Sequence, residues 1–459
     1  MFSLALRSLA KRPGRFLAGF LAVFLGAAVV MAFGSLLDTA LAGEVSDTDE
    51  ETLITMASVV GGWGLALVVF AVAATMTLTV RQRAAELALL KSTGATPAQV
   101  GRLIVGETLL VALGAAVLAI VPGALLGRLL VGVLGESGQI TSGIDHTFGP
   151  IGLSMGIGNA VTAALLGAAL TARRAARTPA VTALTDAATE GAGGRSMGPW
   201  RWLGAVLALA GGTALAVVTA TVMDGKGTDV MQTAGPAVVV SSIALALLSP
   251  VLLRAVTAVL AGPVRLLAGA SGALAVTNVR RRTAQLAGAV MPVVLFTGIS
   301  AGTISMQRVE STRAAAEGAA VVAEGRTSET LNYVVVGIIA AFCCIMLVNT
   351  LVSATVFRRR EFGRQRLAGA TPGQVSGMVA AEGALIAVTG VLAGLLASLA
   401  ALVPFSMART GEALPGDGAV LAIHGTVVAL ALLVTLATGV GTARRTVRRT
   451  PAVESVLAA

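Results

Sequence analysis

The sequence predicts an all-α polytopic membrane protein, with ten transmembrane helices set out as two parallel four-helix repeats joined by a two-helix insert. Three observations carry that prediction. The 459 residues are 56% hydrophobic and only 12% charged, with a mean hydropathy of +0.87. Basic and acidic segments alternate between the apolar runs. The stretch "LKSTGATPAQV" at 90–100 returns as "QRLAGATPGQV" at 365–375.

The composition comes first. A soluble domain carries about 25% charged residues, and this chain has too little polar surface to cover a water-soluble globule. Apolar runs near 16–37, 56–80, 103–133, 151–171, 202–223, 235–261, 284–304, 332–356, 377–403 and 419–440 are each long enough to cross a hydrocarbon core of about 30 Å. Runs 103–133, 235–261 and 377–403 exceed one bilayer thickness and predict tilt or extension beyond it. Pro122, Pro250 and Pro292 are candidate kinks. Arg7, Lys11, Arg12 and Arg15 precede a first run that is longer than a signal-peptide core, so it reads as an uncleaved span.

Charge sets the sidedness. Segments near 1–15, 81–102, 172–201, 263–283, 357–366 and 441–459 are rich in Arg and Lys, whereas 38–55 and 134–150 carry acids and no Arg or Lys. The positive-inside rule places the basic set, and both termini, in the cytoplasm. The net charge of +10 therefore points to topology rather than nucleic acid. The mixed segment 305–331 reads as an outer loop able to form a short amphipathic helix. The acidic outer loops either attract cationic substrates or are ordinary solvated loops.

The repeat organises the rest. A shift of 275 residues superposes Glu86 on Glu361, Gly94-Ala95-Thr96-Pro97 on Gly369-Ala370-Thr371-Pro372, Gln99-Val100 on Gln374-Val375, and Glu107 on Glu382. "TARRAARTPAV" at 171–181 echoes "TARRTVRRTPAV" at 442–453, and "ALRSLAKRPGR" echoes "AVTNVRRRTAQ". Residues 1–185 form the first repeat, 186–265 the insert with its linkers, and 266–459 the second repeat. Four and two are even, so the repeats share one orientation and are parallel rather than inverted.

Each GATP segment reads as a corner between helices. "RQRAAELALLKST" is a good helix former with charges on one side and Ala84, Leu87 and Leu90 on another. Gly94 suits the left-handed position past a helix end. Thr96 is the expected N-cap, Pro97 the first helical residue, and Gln99 the reciprocal partner of a capping box. Gly369, Thr371, Pro372 and Gln374 repeat the pattern. Two basic amphipathic elbows on one side of a membrane suit two copies of one partner, or a related pair.

The stretches "ELALLKSTGATPAQVGRLIVGETLL" and "EFGRQRLAGATPGQVSGMVAAEGAL" resemble the signature of FtsX-like permeases, the membrane subunits of ABC transporters of the MacB or BceB kind. The resemblance covers nearly the whole chain. It implies coupling to a cytoplasmic ABC ATPase through Glu86, Lys91, Gly94, Thr96, Pro97 and Gln99, and through Glu361, Arg366, Gly369, Thr371, Pro372 and Gln374. Many such permeases carry a large outer domain after the first span of a repeat; 38–55 and 305–331 are too short for one. Phe362-Gly363 stands where the first copy has Leu87-Ala88, so the two elbows need not bind identically.

Other residues were weighed for chemistry. Glu107 and Glu382 lie about 16 Å along a helix from their N-caps, shallow in the membrane, where an ionisable group either pairs with a cytoplasmic arginine or takes part in gating. Arg128 and Arg254 are placed to snorkel. His146 and His424 are lone, and Cys343-Cys344 has no metal-ligand spacing. There is no G-x-x-x-x-G-K-[ST] loop, so the chain is expected to hold no cofactor or metal and to be no enzyme, with ATP and magnesium bound by a separate ATPase. The expectation is a permease subunit in a bacterial cell membrane, in contact with lipid, that exports or extracts an amphiphilic peptide, lipid or hydrophobic metabolite. The alternative is a non-transporting subunit that relays ATPase motion to an outer partner. A secondary transporter would want acid or His pairs near the midplane, and the sequence has none in its spans.

Overall fold

In hydrocarbon the main chain finds no water, so an apolar run has to satisfy its own N–H and C=O groups, which a helix does. The computed structural model describes residues 16–42, 45–61, 68–69, 72, 89–177, 197–225, 230–317, 319–356, 358–414 and 418–449. Among these residues there is no strand. The helices are α1 (Leu17–Ala40), α2 (Asp47–Thr55), a π-helical turn (Met56–Gly61), α3 (Pro97–Leu118), α4 (Ile120–Glu136) and α5 (Pro150–Arg177). They continue with α6 (Pro199–Thr221), α7 (Met231–Leu247), α8 (Ser249–Arg281), α9 (Thr283–Glu317) and α10 (Ala319–Val356). The last are α11 (Arg359–Leu367), α12 (Pro372–Thr410) and α13 (Gly418–Arg449). Among the described residues, eight helices are long and apolar enough to span a membrane, or nine if the bent pair Ala340–Val356 and Glu361–Leu367 is one span. Most of the expected second span, 56–80, lies outside the described residues.

Three expected elements differ in form. The long run 103–133 is two helices, α3 and α4, that meet at Ala119. The run 235–261 likewise breaks at Leu248, between α7 and α8. Both breaks sit just before a proline, Pro122 or Pro250, whose ring removes a donor and crowds the preceding turn. Helix α9 continues through Pro292, in a span that is 83% buried. Segment 305–331 is not a loop: its described residues are helical, in α9 and α10.

The chain divides into two compact units, Met1–Glu190 with Ala314–Phe342, and Gly191–Arg313 with Cys343–Ala459. In the first, α1 is the central post, packed by α3, α4 and α5. Met31 is fully buried between Gly123 and Gly156, where added Cβ atoms would meet its side chain at 2.8 and 2.2 Å. Two acids of the expected outer side are consumed structurally. Asp38 accepts from the N–H groups of Ile151 (2.9 Å) and Gly152 (2.7 Å), capping the first turn of α5. Asp49 accepts from the Ser46 hydroxyl (2.7 Å) and from the N–H and hydroxyl of Thr141 (2.9 and 2.7 Å), tying α2 to the loop after α4.

In the second unit, α12 runs 39 residues and packs on α7, α8 and α13. Its backbone meets that of α9 where Gly298 faces Gly394: a Cβ on Gly394 would lie 2.9 Å from the Gly298 nitrogen and 2.6 Å from Thr297 Cβ. Beyond that crossing, Arg409 Nε donates to Glu310 (2.8 Å). The insert helices α6 and α7 pack on each other and on α12, and Arg201 ties their base to Leu247 O (2.8 Å) and Ser249 Oγ (3.0 Å). Helix α8 is bent at Gly269, which has φ 53°.

Two tests follow from this packing. Gly394→Ala should overfill the α9–α12 crossing and cost about 1–3 kcal/mol, seen as a lower melting temperature in detergent. Gly383→Ala, whose nearest contact would be 3.6 Å away, should not lower it. The second test concerns Asp49. The Ser46 and Thr141 donors outweigh burial and hold its carboxyl below the usual aspartate range. A depressed folded pKa contributes stability that is complete above the unfolded value of about 3.9 and is lost as pH falls through the folded value. Asp49→Asn should therefore melt lower than wild type at neutral pH, with the gap closing in acid.

Candidate coupling elbows and a buried charge cluster

Both GATP corners have the geometry their residue types dictate. Gly94 and Gly369 take φ of 97° and 96°, a region that penalises any residue with a Cβ. Ahead of each glycine the helix closes with a paired turn: Gly94 N donates to Lys91 O (3.0 Å) and Ala95 N to Leu90 O (3.0 Å). In the second copy Gly369 N donates to Arg366 O (3.1 Å) and Ala370 N to Gln365 O (2.9 Å). Behind it the next helix opens with a capping box. Thr96 N donates to Gln99 Oε1 (2.9 Å) and Gln99 N to Thr96 Oγ1 (3.3 Å). Thr371 N donates to Gln374 Oε1 (2.9 Å) and Gln374 N to Thr371 Oγ1 (3.2 Å). Pro97 and Pro372 follow at the first helical position.

The alanine between the glycine and the cap anchors each corner. Ala95 packs on Val100, Ile104 and Ala168, and Ala370 on the larger cluster of Phe362, Val375, Met378 and Val447. The outer surface of each corner is exposed at Gly94, Thr96, Pro97 and Gln99, and at Gly369, Thr371, Pro372 and Gln374. Large apolar side chains stand beside them: Leu89 and Leu90 are 57% and 40% exposed, and Leu367 is 56%. Lys91 is half-buried, and burial lowers its ammonium pKa. Arg366 is also half-buried and donates to Val447 O on α13 (3.0 Å). Glu86 lies outside the described residues.

Glu361 is not on that surface. It is buried, with Glu382, around Arg358. The Arg358 guanidinium, in the link between α10 and α11, donates from Nε (2.8 Å) and Nη2 (3.0 Å) to Glu361. The same group donates from Nη2 (3.0 Å) and from Nη1 to Glu382 on α12. Arg282, between α8 and α9, donates to Glu361 (2.6 Å). Asn278 on α8 bridges both acids, at 2.9 Å to Glu382 and 3.3 Å to Glu361. Arg358 also lies 5.4 Å over the buried Phe362 ring. The two acids thus face two arginines, a neutral set that suits burial. Glu107 is buried in α3 at the place that matches Glu382.

Arg358, Arg282 and Asn278 were missed by reading the sequence, although a signal existed. Arg83 and Arg358 are 275 apart, and each stands three residues before a glutamate that obeys the same shift. The remaining candidates are quieter. His146 contacts Ser35 Oγ (2.9 Å), and His424 contacts Ser398 Oγ (3.1 Å) and Val420 O (2.8 Å), so both rings are engaged in helix contacts. Arg128 and Arg254 are exposed, as snorkelling requires. Cys343 and Cys344 are free thiols, and among the described residues no group of His, Cys, Asp and Glu is placed to hold a metal ion.

The family model described as FtsX-like permease C-terminal matches the chain twice, over residues 58–180 and 333–451. The matches begin 275 residues apart, the offset that superposes the elbows, and together they cover more than half of the chain. No curated protein matches it. FtsX-like permeases are typically the membrane components of ABC transporters, are not themselves enzymes, and generally pair with cytoplasmic ABC ATPases. With an elbow and a buried glutamate inside each match, in an all-helical multi-pass membrane protein, the chain belongs to the FtsX-like permease family.

Proposed function

We propose that this chain is the permease subunit of an ATP-driven transporter in a bacterial cell membrane, and that its two elbows are the docking points of a cytoplasmic ATPase pair. The observation that carries the reading is the duplication of one exposed corner. The same positive-φ glycine, capping box and leading proline stand at 94–99 and 369–374, each with uncovered leucine beside it. A corner that served only to turn the chain would have no use for Leu89, Leu90 and Leu367 in solvent. Apolar knobs on a rigid corner suit a groove on a folded partner. The basic segments flanking the elbows favour the cytoplasmic side, which puts both termini inside when ten spans are counted. ATP and magnesium belong to the partner subunits, two copies or a related pair.

The cargo is read from what surrounds the spans. The segments between spans on the expected outer side are short, and Asp38 and Asp49 there are engaged in caps and loop ties rather than offered to solvent. That favours a substrate taken from the bilayer, an amphiphilic peptide, lipid or hydrophobic metabolite, over one captured by an outer domain. It also leaves little surface for a partner that would receive a purely mechanical signal.

The test is association. Leu89→Asp with Leu90→Asp, and separately Leu367→Asp, should each weaken ATPase binding by about 2 kcal/mol per lost apolar contact, roughly thirtyfold. Thermal stability of the purified permease should be unchanged, because these side chains are exposed. Pull-down of the ATPase and stimulated ATP hydrolysis are the readouts. Full retention of both in the combined variant would remove the docking reading.

A further inference from the structure

We infer that the charge cluster around Arg358 is a clasp that makes the inner ends of the second repeat's helices one lever, with Arg358 as the positioning residue. The inference rests on the proposal that the 369–374 elbow is a docking point. It adds which parts of the membrane region the elbow moves.

The geometry reaches every helix of that repeat. Helix α10 ends at Val356, two residues before Arg358. The elbow helix α11 contributes Glu361, α12 contributes Glu382, and Arg282 is the residue immediately before α9. The α13 end is tied by Arg366 to Val447 O. Helix α8, which leads into α9, adds Asn278 on both acids and Ser271 Oγ on Gln374 O at the elbow itself (3.1 Å). One guanidinium forks to two carboxylates on two different helices, which a lysine ammonium cannot match in fixed geometry. A buried ionic set contributes little net stability against an apolar replacement, but it specifies one arrangement of the helices that carry it. Its position between the elbow and the span puts that specification where a push from a docked partner enters. The elbow cannot swing on α12 without parting Glu361 from Arg358, or Arg358 from Glu382.

The test measures rigidity within the repeat. Spin labels are placed at Leu274 on α8 and Arg364 on α11, both exposed, in a C343A/C344A background. In the purified full chain in lipid nanodiscs, without ATPase, the wild-type cluster should give one narrow distance. Arg358→Gln should broaden it. Because an unbalanced buried charge disfavours folding of that variant, R358M/E382M removes one positive and one negative group together and should fold yet still lose the narrow distance. Arg358→Lys should restore it only in part. With the ATPase bound, the wild-type distance should be the same without nucleotide and with a trapped ATP analogue. An unchanged distribution in R358M/E382M, or a wild-type distance that shifts with nucleotide, would overturn the clasp. Failure of the ATPase to bind the wild-type chain would count against the docking proposal instead, and the nanodisc measurement alone would still decide the clasp.

Discussion

Everything in this molecule is arranged around one constraint: a backbone in hydrocarbon has no water to complete its hydrogen bonds. A helix interior meets that demand by itself, but a helix end cannot, because its terminal N–H and C=O groups have no partner in the helix. Corners are therefore the expensive places. The two GATP segments, exposed on their outer surface, carry local partners of their own, the glycine closing one helix and the threonine–glutamine box opening the next. Asp38 does the same for the start of α5 from a neighbouring helix. Because these partners come from the chain itself, each corner holds its shape by local bonds.

The same absence of water governs the charges. Removing one member of a buried pair strands the other at a cost of about 3–5 kcal/mol, so Arg358, Arg282, Glu361 and Glu382 can only be understood together. Their mutual neutrality lets Glu382 sit fully enclosed one short step beyond the elbow. A family resemblance alone would have assigned Glu361 to the docking surface along with its neighbours. The enclosure of its carboxylate sets it behind the exposed surface of the elbow.

How far the sequence revealed this depends on how local each feature is. The elbows were legible because every interaction in them spans a few residues: a glycine that must tolerate positive φ, a threonine three before a glutamine, a proline at the first helical place. The family was legible for the same reason, since its signature is one contiguous stretch written twice. Glu382 was legible as a charge out of place, but its partners were not: Arg358 stands 24 residues earlier, and Asn278, about a hundred residues earlier, meets it only through the packing of α8 on α12. Prolines marked two of the breaks, near Ala119 and Leu248, whereas the largely buried α9 continues through Pro292 as one helix. The helical course of 305–331 was missed since its mixed charge reads as a loop when no neighbour is in view.

The two repeats share an elbow and differ in the helix that follows it. Helix α12 continues unbroken from Thr371 to the left-handed Gly411, 39 residues or about 58 Å. The matching helix α3 stops after 22 residues, about 33 Å, and passes through Ala119 into α4. The difference follows from where proline falls: Pro122 ends α3, while the residue 275 further on, Ala397, lies in mid-helix with no side chain to obstruct the turn. A displacement applied at Thr371 is carried along a single rod past the Gly298–Gly394 crossing to the Glu310–Arg409 pair. One applied at Thr96 meets a joint partway. Elbows of one geometry therefore open onto helices of unequal length in the two repeats.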